Sequence, residues 1–222
     1  MFVEVLGWIC VVVGFGAFVP QVVAVLRRKT TAGLSLTGLQ MAAGATGAWI
    51  AHGFLHGHME QVVVNVLILA GLILILALMQ REHQRGLVES WWLAVVTFPV
   101  LVSVDLLLGS AAFGMFVVIP NVVVNGLGLL ELVRAPSIRG VSWQSLVLNG
   151  ITQLLWVTWS LFVNDPGATI ASGVFAVGVA ASLFWYWMRH SGRVEAKPTF
   201  GRRQVAVVPD AEVLAGESVL VN

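Results

Sequence analysis

Apolar runs broken by short polar turns set the pattern of this chain. A helix needs about 20 apolar residues to cross the hydrocarbon core of a membrane. Seven runs reach that length, at about 3–26, 36–56, 60–80, 91–109, 112–133, 141–163 and 167–188. The polar positions between them follow a rule. Arg27, Arg28 and Lys29 come after the first run, Arg81 and Arg85 after the third, Arg134 and Arg139 after the fifth. Arg189, Arg193, Lys197, Arg202 and Arg203 follow the seventh, and this completes the twelve Lys and Arg of the chain. The alternate connections, near His56–Glu60, Gly109–Ser110 and Asn164–Asp165, carry none. Basic residues are retained on the cytoplasmic side of short loops. The pattern therefore predicts seven spans, with the N-terminus outside and the C-terminus in the cytoplasm.

Composition agrees with that pattern. The 222 residues are 58% hydrophobic and 10% charged, against about 25% charged in a soluble domain. Most of the surface must then meet lipid or other helices. Cys10 is the one cysteine, so no intramolecular disulfide forms. No cleavable signal is expected, because the first apolar run is too long for one and lacks a basic leader. The first run acts as its own insertion signal. The last residues, with Pro198 and Pro209, read as a poorly ordered cytoplasmic tail.

The chain also repeats itself. Arg27, Gly33, Ser35, Leu39, Trp49 and Gly71 recur 107 positions later as Arg134, Gly140, Ser142, Leu146, Trp156 and Gly178. Each copy holds three apolar runs. A three-span unit that starts outside ends inside, so a second copy keeps the same orientation only if one more span intervenes. The run Trp91–Gly109 supplies it. The expected fold is an all-α membrane protein of seven transmembrane helices, arranged 3+1+3 as two parallel three-helix repeats plus a linking helix. Its units are a first repeat at 1–87, the linking helix at 88–110, a second repeat at 111–190 and the tail at 191–222. Transporters built from such repeats bind substrate at the repeat interface near the midplane.

Two tryptophans carry the candidate chemistry. Trp8, Trp91, Trp92, Trp143, Trp185 and Trp187 fall near helix ends, where amphipathic rings settle at headgroup level. Trp49 and Trp156 lie about nine residues from their outer turns, roughly 13 Å deep at 1.5 Å per residue. Asn65 and Ser172 each follow one of them by sixteen residues, on the antiparallel neighbour. An indole face with an amide or hydroxyl suits a sugar ring, whose C–H face stacks while its hydroxyls hydrogen-bond. The competing reading makes Asn65 and Ser172 polar glue between helices; the duplicated spacing favours a site. Pro20 and Pro120 interrupt their spans and are hinge candidates, static kinks being the alternative. Asn121, Asn125, Asn149 and Gln153 are secondary candidates for a path. Asp105 lies about a turn from the outer end of its run, and is expected as a solvated interfacial carboxylate. His52, beside His56 and His58, is expected at a wet interface, and no acid falls at the inferred midplane.

Each copy resembles the three-helix unit of the SWEET and SemiSWEET sugar transporters of the PQ-loop superfamily. The first has Pro20–Gln21, a basic turn, KTTAGLSL (Lys29 to Leu36), Trp49 and Asn65. The second has RGVSW (Arg139 to Trp143), LLW (Leu154 to Trp156) and NDPGATIAS (Asn164 to Ser172). The likeness covers residues 1–190. It implies a substrate pocket at Trp49, Asn65, Trp156 and Ser172, and hinge or gating roles for Pro20, Gln21 and Pro120. There are departures. Ser172 stands in place of the second pocket Asn. Leu127 and Gly128 stand where the second Pro-Gln would be, and Thr37 and Gln144 where the family has prolines. These bear on substrate and gating more than on fold.

The expected function is an alternating-access uniporter of small neutral solutes, sugars first, in a bacterial plasma membrane. The rivals are a proton-coupled amino-acid transporter and a receptor that binds without moving its ligand. There is no Walker loop, metal-ligand cluster or nucleophile–base arrangement. No enzyme activity, cofactor, metal or nucleic-acid partner is expected. The expected partners are the solute and the lipid bilayer, with a homo-oligomer left open.

Overall fold

The computed structural model describes residues 1–31, 34–134 and 143–194. They form seven helices: α1 (Phe2–Arg28), α2 (Leu36–His56), α3 (Met59–Glu82), α4 (Leu87–Leu108), α5 (Ser110–Arg134), α6 (Trp143–Val163) and α7 (Pro166–His190). The expected tail from 195 onward, and the RGVSW stretch before Trp143, lie outside the described residues.

Local chemistry sets the helix ends. Ser35 caps α2 by accepting from the Gly38 N–H at 3.1 Å. Asp165 caps α7 by accepting from the Ala168 N–H at 3.1 Å, with Pro166 in the first turn, where its missing N–H costs nothing. The two hairpin turns are built alike. Gly57 and Asn164, at duplicated positions, both take the left-handed conformation, with φ of 75° and 56°. The residue after each closes the turn, His58 N–H to Gly53 O at 2.7 Å and Asp165 N–H to Ser160 O at 3.0 Å. All these positions are related by the 107-residue interval.

The packing repeats in the same way. In the first unit α3 contacts α1 and α2; in the second, α7 contacts α5 and α6. The units meet through α1 on α6 and α2 on α5, which are counterparts under the duplication. The six helices thus close a ring in the order α1, α3, α2, α5, α7, α6. Helix α4 lies outside the ring against α2 and α5, with a smaller contact to α3. One apolar cluster, around Leu72, Ile75, Leu76 and Met79, fills the first unit. A second, around Ala48, Leu101, Phe113 and Val117, joins α2, α4 and α5.

The outside of the bundle is apolar. Val12, Val95, Leu107 and Val177 are each more than 60% exposed, as lipid-facing side chains should be. Among the described residues, five helices, α1, α3, α4, α6 and α7, are long and apolar enough to cross a membrane. Helix α2 is less apolar because Gln40, Thr46, His52 and His56 interrupt it, the first three buried. The chain is a multi-pass helical membrane protein.

Side-chain bonds tie the basic end. The Thr31 N–H and hydroxyl both donate to Glu82 Oε2 at 2.6 Å, and Gln40 Nε2 donates to Glu89 O at 2.6 Å. Trp91 Nε1 donates to Gln80 Oε1 at 2.9 Å, so this ring is a strut between α3 and α4 and more than a headgroup anchor. In the second unit Arg189, the counterpart of Glu82, donates to the Leu132 carbonyl at 2.7 Å.

At the other end the helices cross almost backbone to backbone. A Cβ on Gly114 of α5 would lie 2.5 Å from Gly167 O and 2.7 Å from its Cα. The duplicated position, Gly7, is equally tight against Glu60 and Trp159. Gly114→Val should destabilise the protein by about 1–3 kcal/mol, because backbone cannot move aside as a side chain can. Thermal unfolding in detergent measures this. An unchanged midpoint would show that α5 and α7 do not cross here.

Candidate functional site

The ring encloses a cavity of about 350 Å³. Trp49, Asn65, Trp156 and Ser172 all line it, so the fold brings the two duplicated pairs into one chamber. Gln21, Asn149 and Gln153 also line it. Pro20 and Pro120 lie inside helices that run on past them, one exposed and the other buried. The side chains of Asn121 and Asn125 lie outside the described residues.

The polar groups of the lining point to a ligand more than to neighbouring helices. Asn65 Nδ2 donates to the Gln61 carbonyl of its own helix at 2.8 Å, and its Oδ1 has no partner among the described residues. Ser172 is buried and makes no hydrogen bond among the described residues. Thr152 Oγ1 donates back to Leu148 O at 2.9 Å, again within its own helix. None of these bonds joins two helices. Gln61 Oε1 is buried without a partner, and such a group calls for an explanation. No Asp, Glu, Lys or Arg is among the described lining residues.

The chamber is closed at one end. The lining residues toward the basic end, Gln21 and Asn149, are exposed. Toward the hairpin turns, Gln61 is buried, and behind it lies a network that the sequence did not lead us to expect. His52 is fully buried, not at a wet interface. Its Nδ1 stands 2.7 Å from Asp105 Oδ2 and its Nε2 3.0 Å from Asp165 Oδ2. Asp105 is 6% exposed, so it is no solvated carboxylate either. Both expectations fail for one reason: α4 and the α6–α7 turn pack over the end of α2 and shut water out. Asp165 gathers further donors, from the Ser110 hydroxyl at 2.8 Å, the Ala168 N–H at 3.1 Å and Gln61 Nε2 at 3.2 Å. Burial would raise its pKa, but the His52 bond, with Ser110 and the Ala168 N–H, outweighs burial and holds the carboxyl well below the usual range.

The closed end joins the two units. His52 on α2 meets Asp165 in the second unit. The duplicated pair, Trp159 and His58, meets edge-to-face with ring centroids 5.1 Å apart. Trp49 links this end to the chamber, edge-on to His52 at 5.3 Å and to Phe113 at 4.8 Å. Trp156 does the same against Trp159 at 5.3 Å.

Ligand atoms of His52, His56 and Asp105 lie within 4.8 Å of one another, close enough in principle to hold a metal ion. The sequence showed no metal-ligand cluster, since Asp105 joins His52 and His56 only in the fold. Yet His52 Nδ1 and Asp105 Oδ2 already stand at hydrogen-bond distance, and the other ring nitrogen faces Asp165. A metal would have to break the first bond, so the donor set fits a proton better. Gln61, Thr152, Trp159 and Asp165 escaped the sequence reading. The 107-residue interval pairs His52 with Trp159 and His58 with Asp165, and was the one signal available for Trp159 and Asp165.

Residues 2–58, which span α1, α2 and the turn after them, match the PQ loop repeat family. A search of curated proteins finds no match.

The two groups of residues should respond differently to substitution. Asn65→Ala should change stability by no more than about 1 kcal/mol, because it removes one bond within its own helix. Asp165→Ala should cost about 3–5 kcal/mol, because it strips the acceptor from a buried histidine and leaves other donors unpaired. Unfolding of both variants in detergent is the check. Equal losses would refute the division into a lining and a structural lock.

Proposed function

We propose that the protein is a seven-span, alternating-access transporter that moves small neutral solutes, sugars best, down their gradient. The observation that carries this reading is the composition of the chamber. Two indole rings at duplicated positions share it with amides and hydroxyls that have spare hydrogen-bonding capacity, and no charged side chain is described in its wall. Its volume is within the range of small-molecule sites. An amino acid would bring two charges into this space with no counter-charge described there. A neutral polyol brings none. The indoles stack on the solute, Asn65 meets a hydroxyl through its free carbonyl oxygen, and Ser172 adds a shorter contact.

The match to the PQ loop repeat supports a membrane transporter or receptor-like role, and the likeness to the SWEET and SemiSWEET family favours sugar. Alternating access accounts for a chamber shut at one end and bordered by exposed residues at the other. The two three-helix units rock about the site. On the strength of the basic clusters we take the exposed end as cytoplasmic and the chamber as facing inward. Flux in both directions along a gradient separates this reading from a receptor.

Counterflow in liposomes tests it. Purified protein should exchange labelled mono- or disaccharides, and Asn65→Ala should lower that exchange about tenfold or more, since a lost partner leaves a buried group unpaired. Ser172→Asn should keep or raise it, because Asn reaches further with both a donor and an acceptor. Exchange of amino acids with no exchange of sugars would overturn the substrate class, and binding without exchange the transport role. In a Cys10→Ser background, a cysteine at 164 should react only with impermeant reagent added from outside. Labelling from the cytoplasmic face alone would reverse the topology.

A further inference from the structure

We propose that Asp105, His52 and Asp165 form a proton-binding site, and that the bound proton holds the outer end of the bundle closed. An ionised carboxylate only accepts hydrogen bonds. Both nitrogens of His52 face carboxylate oxygens, at 2.7 and 3.0 Å. Two protons are therefore needed, and a neutral imidazole brings one. The second makes His52 an imidazolium or Asp105 a carboxylic acid. Asp165 is the poorer place for it, since the carboxyl already accepts from Ser110, Gln61 and the Ala168 N–H. The side chains of His52, Asp105 and Asp165 are 0%, 2% and 1% exposed, so water does not stand in for the missing donor.

The proton joins three parts of the chain. His52 belongs to the first repeat, Asp105 to the linking helix and Asp165 to the second repeat. If the proton leaves, one ring nitrogen turns a lone pair to a carboxylate. Two unbalanced negative charges then remain in a dry space, and one of the bonds across the joint is gone. Separation of the repeats, which lets water in, relieves both. Protons reach the site through His56, one turn further along α2. Its side chain is 37% exposed, and its Nε2 stands 3.3 Å from Asp105 Oδ1.

Besides His56, a few side chains face this group from the elements packed against it. From the α2–α3 turn comes His58, whose pKa burial holds below the ordinary histidine range. Glu60 on α3 lies farther off, toward His58 and Gly7. From α5 come Ser110 and Phe113, which do not titrate; Phe113 stacks on the His52 ring with centroids 4.5 Å apart. At the duplicated joint Trp159 meets His58 edge-to-face, with Glu60 beside them.

Proton binding stands apart from transport; its effect as a gate rests on the transport reading. The test reads conformation directly. In a Cys10→Ser background, spin labels at Leu55 on α2 and Leu161 on α6, both exposed, report the opening of the outer end in lipid nanodiscs. Pulsed electron–electron distances should show one short population at pH 5. A longer one should grow in by pH 9, with at least a tenfold change in the open-to-closed ratio, as expected for one charge-assisted hydrogen bond. Asp105→Asn supplies a neutral partner for His52 and should stay short throughout. Distances in the otherwise unsubstituted protein that do not change with pH would overturn the proposal, whatever the variant does. An Asp105→Asn variant that titrates like its parent would do so too. Sugar counterflow in the same preparation separates the two claims. Distances that titrate without flux leave the proton site and remove the transporter. Flux with fixed distances does the reverse.

Discussion

An apolar bundle offers its interior almost no water, so each polar group sealed inside must be met by another group of the protein. That constraint governs the arrangement described above. Where polar groups meet in pairs, the bundle is locked: Glu82 with Thr31 at the basic end, His52 with its two carboxylates at the other. Where they do not meet, as at Asn65, Ser172 and the Gln61 carbonyl oxygen, there is a chamber. Gln61 stands at the boundary. Its side chain lines the cavity, and its amide nitrogen donates to Asp165 in the lock.

The two copies keep a common backbone and have diverged in chemistry. The turns at Gly57 and Asn164 close with the same hydrogen bond, and the tight crossings at Gly7 and Gly114 fall at the same place. The side chains on that frame differ. Asn65 faces a shorter Ser172. Glu82 accepts from a turn where Arg189 donates to a helix end. His52 has Trp159 as its counterpart. The chamber and its closure are therefore lopsided, and a solute in it meets two unlike walls.

The helices and their order were legible in the sequence because apolar length and the spacing of basic residues act along the chain. Observed helix ends fall within four residues of those expected. The chamber was legible through the duplication, which placed Trp49 and Asn65 at one depth and gave Trp156 and Ser172 the same interval. The lock was not. Asp105 and Asp165 each sit near an outer turn, where a lone carboxylate is normally wet. Only the way α4 covers α2 takes them out of water, and that is a matter of packing across 53 and 113 residues of chain. No local pattern encodes it.

The exchange of partners across the pseudo-twofold axis has a consequence for how such a chain can change over generations. Suppose the first unit paired with a copy of itself. Each His52 would then face a His58 in place of Asp165. A second unit paired with itself would set each Asp165 against a Trp159 and leave a buried acid without its imidazole. Neither half now closes the joint alone. The chain as it stands needs both halves to make the joint. Its halves have become each other's missing partner, and the single residue Gly109 between α4 and α5 keeps them on one chain.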